Sequence, residues 1–271
     1  MGRGIAQIVA ESGISVSLFD LDPDAATRGL EAISTTWQRA TSKGRLTESD
    51  AKAAESRLTS AASLDAAAEV DLVIEAIVER ADAKTALFKE LSSRAAPHAI
   101  LASNTSSISI TRLAAATSRP QRVIGLHFFN PVPAMVLVEV VRGLETSNAT
   151  VETGLRFASS LGKSPVVVND FPGFVSNRIL LPMINEAIFC LGEGVADAAA
   201  IDQVMKLGMA HPMGPLALAD LIGLDVCLDI LRTLQQDIGD DKYRPAPLLR
   251  RLIAAGKLGR KTGEGFFLYD R

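Results

Sequence analysis

From residue 2 to about 168, short β-branched runs alternate with longer helical stretches, and after "VVVNDFPGF" the alternation stops. The runs are "VSLF", "VDLVIEAI", "AILAS", "RVIGLHFF", "LVEVV" and "PVVV", separated by segments rich in Ala, Glu and Lys. Buried strands separated by helices demand a mainly parallel sheet, because each crossover helix must pack back on the sheet and cover one face. The pattern predicts a doubly wound α/β domain over 1–168. One junction departs from it: the runs near 123–128 and 136–141 are joined by only "NPVPAM", too short for a crossover helix, and so predict an antiparallel pair. Over 169–271 helical periodicity ("VSNRILLPMINEAIFCL", "LALADLIGLDVCLDILRTLQQDI") replaces the strands and predicts an all-helical second domain. The Pro and Gly of "NDFPG" mark the boundary.

Composition narrows the partners. With 271 residues and 48% hydrophobic content both domains can bury a core. The late helices carry more apolar face than about 100 residues bury alone, which implies docking on the first domain or a homodimer interface. A net charge of -3 without a block of like charge leaves no footprint for nucleic acid or an anionic membrane. No apolar run is long enough to span a bilayer and no charged n-region precedes an apolar h-region, so a soluble, reducing, cytoplasmic setting is expected. Cys190 and Cys227 lie in apolar helical stretches and read as small buried hydrophobes. No metal site is assigned.

The opening, "MGRGIAQIVAESGISVSLFD", is a helix starting on Gly2 and Gly4 and running into a strand that ends in an acid. It looks like the later part of a dinucleotide turn. Asp20 at that strand end suits the ribose hydroxyls of NAD, and the following "LDPDA" adds acids that would repel a 2′-phosphate; a helix-capping role suits it equally. "VIEAIVER" carries Glu75 and Glu79 past a buried run, with Lys84 on the next helix; read alone, Glu79 and Lys84 suit a solvated ion pair. "LASNTSSISI" sets small polar residues from Ser103 to Ser107 at a strand exit, either lining a polar pocket or capping the next helix. The sharpest signal is "GLHFFNPVPAMVLVEVV": His127 ends one buried strand, and Glu139 sits inside the next, where an unpaired carboxylate would be costly. A glutamate bonded to one imidazole nitrogen fixes the tautomer and leaves the other to act as a base. Asn177, on the first turns of the helical domain, reads as a site amide or a surface amide. Lys261 in "GRKTGEGFFLYD", which closes as a strand-like tail, reaches a phosphate or solvent.

These stretches, with "DFPGFVSNRIL" and "MKLGMAHPMGPLALAD", resemble the L-3-hydroxyacyl-CoA dehydrogenase family, and the short 3-hydroxybutyryl-CoA dehydrogenases within it, across almost the whole chain in the family's order. The resemblance implies a Rossmann-type NAD-binding domain, a helical dimerisation and substrate domain, and NAD-dependent oxidation of an acyl-CoA 3-hydroxyl in a homodimer. It places the catalytic base at His127, its acidic partner at Glu139, and substrate-orienting groups at Ser106 and Asn177. Cofactor contacts fall on Gly2, Asp20, Glu79, Lys84, Asn130 and Lys261, and the coenzyme A side on Thr36 and Lys43. Family members carry a strand and two further glycines ahead of the stretch matching "MGRGIA", so the expected Rossmann sheet lacks its first strand here. Related branches act on 3-hydroxyadipyl-CoA or free hydroxy acids, and loss of the nucleotide turn would leave a non-catalytic acyl-CoA-binding or dimerisation scaffold; these stand as alternatives.

Overall fold

A computed structural model describes residues 1–270, which form two compact units divided between Asp170 and Phe171. In the first unit the order is α1 (Gly2–Glu11), β1 (Val16–Leu18), α2 (Pro23–Ser42), α3 (Glu48–Glu55), β2 (Leu58–Ser60), α4 (Leu64–Ala68), β3 (Leu72–Glu75), α5 (Ala81–Arg94), β4 (Ile100–Ser103), α6 (Ile110–Ala115), β5 (Val123–Phe128), β6 (Leu137–Arg142), α7 (Asn148–Ser160) and β7 (Ser164–Asn169).

Strands β3 to β7 form a five-stranded sheet in sequence order, parallel throughout except for the antiparallel β5–β6 pair that "NPVPAM" demands. The separate β1–β2 pair is parallel, and among the described residues no ladder hydrogen bond joins it to the larger sheet. The short β2 lies in an Ala-rich stretch that gives no strand signal. Three residues with two exposed are too few to show alternation, and pairing with β1 rather than local propensity makes them extended.

Apolar spacing explains the layers. Ile5, Ile8 and Val9 recur at helical intervals on α1 and pack with Ile100, Ile124, Leu126 and Val138 of the sheet. The other face of α1, Ala6 and Ala10, meets Ile33 and Trp37 of α2, and the Trp37 indole donates to Glu11 Oε1 at 2.6 Å. Helix α2 starts at Pro23 because Asp22 is its N-cap, its carboxylate accepting from Asp24 N at 3.0 Å.

The second unit is helical: α8 (Ser176–Gly192), α9 (Ala198–Gly208), α10 (Pro215–Ile222), α11 (Leu224–Ile238) and α12 (Pro247–Ala254) surround Leu181, Ile184, Leu216, Leu224, Leu231 and Leu249. Cys227 is buried there, and its surroundings push the thiol up to about 12. Two buried aspartates organise this unit. Asp202 of α9 accepts from Leu216 N and Ala217 N at 2.8 and 2.9 Å, capping α10 from outside. Asp220 of α10 accepts from Phe266 N, Phe267 N and the Tyr269 hydroxyl, each at 3.0 Å. The closing segment therefore folds as a turn around Asp220, held by isolated bridges at Glu264, in place of the strand its aromatic residues suggest. Among the described residues no helix is long and apolar enough to cross a membrane.

Candidate active site

The chemistry-bearing groups of the first unit gather at the carboxyl ends of β3, β4 and β5, the edge where an α/β sheet presents its ligand-binding groups. Antiparallel pairing puts His127 directly opposite Glu139 in the β5–β6 register. Nδ1 of the imidazole lies 2.7 Å from Glu139 Oε2, and the two residues are 7% and 3% exposed. A carboxylate in this apolar strand needs the partner it has, and the pair holds the ring by Nδ1 and fixes its orientation. Phe129 packs on the imidazole with ring centroids 4.5 Å apart. Asn104, at the exit of β4, accepts from Phe128 N at 2.9 Å and ties that loop to the histidine strand.

A second cluster lies beside it. Strands β3 and β4 align Glu75 with Ser103, whose hydroxyl donates to Glu75 Oε2 at 2.6 Å. Lys84 is 1% exposed, with its ammonium 2.8 Å from Glu75 Oε1 and 3.0 Å from Glu79 Oε2. The solvated pair that the sequence suggests is buried at its Lys84 end, because α5 buries the lysine stem together with its charge, while the Glu79 side chain stays 37% exposed. Glu79 Oε1 accepts from the Thr105 hydroxyl, from Ser106 N at 2.9 Å and from Ser107 N at 3.2 Å, with the Ser106 and Ser107 hydroxyls at 3.3 and 3.2 Å. Burial pushes the Glu79 carboxyl upward, but the Lys84 ammonium and then the Thr105 hydroxyl outweigh it, and the net direction is down. Sequence reasoning missed the Lys84 bridge to Glu75; the signal was a lysine nine residues after an acid at a buried strand end.

Other expected positions are more dispersed. Asp20 is exposed beyond β1 and accepts from Asp22 N at 3.0 Å, while Asp22 takes the capping role, so the Asp20 carboxylate faces solvent. Gly2 opens α1, and a Cβ there would lie 3.6 Å from Ala76 Cβ, so the helix start runs close to the exit of β3. Asn130 is exposed just past β5. On α2, the Thr36 hydroxyl donates to Ala32 O at 2.8 Å, and Lys43 is the C-cap. In the helical unit Asn177 stands in the first turn of α8, and Lys261 places its ammonium 2.6 Å from both carboxylate oxygens of Asp225.

These residues fit a dinucleotide. An exposed carboxylate suits ribose hydroxyls, three acids at 20, 22 and 24 disfavour an added phosphate, and exposed Leu21, Ile77 and Val78 offer apolar surface for flat rings. A buried histidine–carboxylate pair beside a site suited to a dinucleotide, at the carboxyl edge of such a sheet, is the arrangement of a nucleotide-binding α/β dehydrogenase.

Comparison carries this further. Residues 1–171 match the family model for the 3-hydroxyacyl-CoA dehydrogenase NAD binding domain, and residues 173–269 the model for the 3-hydroxyacyl-CoA dehydrogenase C-terminal domain. A Bacillus subtilis protein described as "Probable 3-hydroxybutyryl-CoA dehydrogenase" is 56% identical over 270 residues, spanning 100% of this chain and 94% of that one. The 3-hydroxybutyryl-CoA dehydrogenase of Bradyrhizobium diazoefficiens is 53% identical over 99% of this chain and 92% of its own length. The crystal structure of (S)-3-hydroxybutyryl-CoA dehydrogenase from Ralstonia eutropha superimposes with a TM-score of 0.97 at 49% identity, covering 100% of this chain and 96% of that chain. The chain belongs to the 3-hydroxyacyl-CoA dehydrogenase family, whose members are NAD-dependent oxidoreductases.

Proposed function

We propose that this chain oxidises the 3-hydroxyl of 3-hydroxybutyryl-CoA to the 3-oxo thioester, and catalyses the reverse, in fatty acid or butanoate metabolism. The observation that carries the reading is the buried His127–Glu139 pair, supported by relatives of that name at 45–56% identity. NAD, when bound, supplies the hydride acceptor. The protein's part is proton movement and orientation. His127 Nε2 removes the hydroxyl proton, and Glu139, held on Nδ1, stabilises the imidazolium that forms. Ser106 and Asn177 are assigned to the substrate oxygens, where they keep C3 in line for transfer.

Asp20, Gly2, Glu79, Lys84, Asn130 and Lys261 are assigned to the cofactor, and Thr36 and Lys43 to coenzyme A. For Lys84 this role is indirect, since its buried ammonium lies between the carboxylates of Glu75 and Glu79. Exposed Ile179, Val204, Leu207, Met209 and Leu221 on α8, α9, the turn after α9 and α10 support a homodimer through the helical unit, and the free cysteines Cys190 and Cys227 suit a reducing compartment, the cytoplasm.

The test is spectrophotometric. Wild-type protein is expected to oxidise NADH when acetoacetyl-CoA is added, faster than with a 3-oxoadipyl thioester or free acetoacetate. His127→Gln is expected to lose that activity while keeping its circular dichroism. An unchanged rate in that variant overturns the assigned base.

A further inference from the structure

The Glu75–Lys84 pair has no place in the proton chemistry, yet it is a costly feature. The Glu75 side chain is fully buried, Lys84 is 1% exposed, and an ion pair taken out of water recovers its desolvation only when further hydrogen bonds complete it. Here they do. Glu75 Oε1 accepts from Lys84 at 2.8 Å and from Ile77 N at 2.7 Å, and Oε2 accepts from Ser103 at 2.6 Å. Lys84 then hands the connection to Glu79, and Glu79 collects Thr105, Ser106 and Ser107.

The result is a closed ring. Segment 75–79 leaves β3, segment 103–107 leaves β4, and the two are tied at both ends: Glu75 to Ser103, and Glu79 to Ser106. Lys84 is the cross-brace that fixes the spacing between the two glutamates. Without Glu75 the buried ammonium has one carboxylate left, draws Glu79 toward itself, and loosens its hold on the Ser106 backbone.

We infer that Glu75 is a positioning residue for the reaction, acting through Lys84 and Glu79 to set the place of Ser106. The inference rests on the reading of Ser106 as the substrate-orienting serine, and a double-mutant cycle separates the two. Glu75→Gln, Ser106→Ala and the double variant are compared in acetoacetyl-CoA reduction by NADH. Glu75→Gln is expected to lower kcat about 10-fold or more, the scale of a misplaced orienting group, with intact circular dichroism.

In the Ser106→Ala background the same substitution is expected to change kcat by less than about 2-fold, because the group it positions is already gone. An equal loss in both backgrounds marks a merely structural role and overturns the inference. So does full activity of Glu75→Gln while Ser106→Ala is impaired, which leaves the Ser106 reading standing. Full activity of Ser106→Ala removes that reading, and the inference with it. If Glu75→Gln alone does not fold, Glu75→Asp, which keeps the charge but withdraws it from Lys84, carries the same cycle.

Discussion

His127 and Glu139 face each other across the antiparallel β5–β6 pair, Nδ1 to Oε2 at 2.7 Å, so two residues twelve apart in sequence become one functional group. Glu139→Gln preserves the side-chain volume and can still accept from Nδ1, but removes the charge that stabilises the imidazolium. It is expected to lower kcat by about 10²-fold, at the lower end of what a positioned acid–base group contributes. His127→Gln is expected to lower it further. Steady-state rates on protein with native circular dichroism check both, and a Glu139→Gln variant at full rate would show that the carboxylate orients the ring without stabilising its charge.

Glu79 gives the serine turn a pH dependence with a defined sign. Burial raises its pKa, Lys84 and the Thr105 hydroxyl lower it, and the folded value ends below the ordinary one. A carboxylate depressed in the folded state contributes stability above its unfolded pKa and loses that contribution as pH falls through its folded value. Wild-type Tm is therefore expected to exceed that of Glu79→Gln at neutral pH, with the gap closing in acid. A gap that widens on acidification contradicts the sign.

The sequence shows the alternation of strands and helices, the antiparallel junction and the His127–Glu139 pair, because each depends on local information: strand length, a link too short for a helix, and an acid where an apolar residue belongs. Lys84 is opaque for the opposite reason. Helix α5 has charges on several faces, and only packing reveals which one turns inward. The motifs "HPMGPLALAD" and "GRKTGEGF" look like chemistry but are in large part architecture, since Asp202 and Asp220 spend their carboxylates on backbone N–H groups contacted only in the tertiary fold.

Asp20 should decide which nicotinamide cofactor is used. Its carboxylate is exposed beyond β1, and Arg28, the nearer in sequence of the two arginines on the next helix, pairs with Asp22 at 2.9 Å. Asp20→Ala removes the acceptor for ribose hydroxyls and is expected to raise the KM for NADH about 10-fold, on the scale of one charged hydrogen bond. NADPH should gain relative to NADH as repulsion of its 2′-phosphate falls. Parallel titrations with both cofactors test this, and an unchanged NADPH-to-NADH preference would remove Asp20 from the ribose site.

Gly265 and Gly256 separate two reasons for glycine in the closing turn. A Cβ at Gly265 would lie 1.9 Å from Asp220 Oδ1, on the carboxylate that holds Phe266 and Phe267, and the backbone of that turn is fixed by the same hydrogen bonds. Gly265→Ala therefore has to displace the buried aspartate or unfold the turn, and is expected to cost about 3 kcal/mol or more, in the range of severe overpacking combined with lost buried hydrogen bonds. At Gly256 φ is +75° and nothing lies within 4 Å of the added Cβ, so Gly256→Ala meets backbone strain alone. Its expected cost is about 1 kcal/mol, that of holding an alanine in the left-handed region. Urea denaturation of the two variants compares them. Equal losses would mean that close approach to Asp220 costs no more at Gly265 than backbone strain alone costs at Gly256.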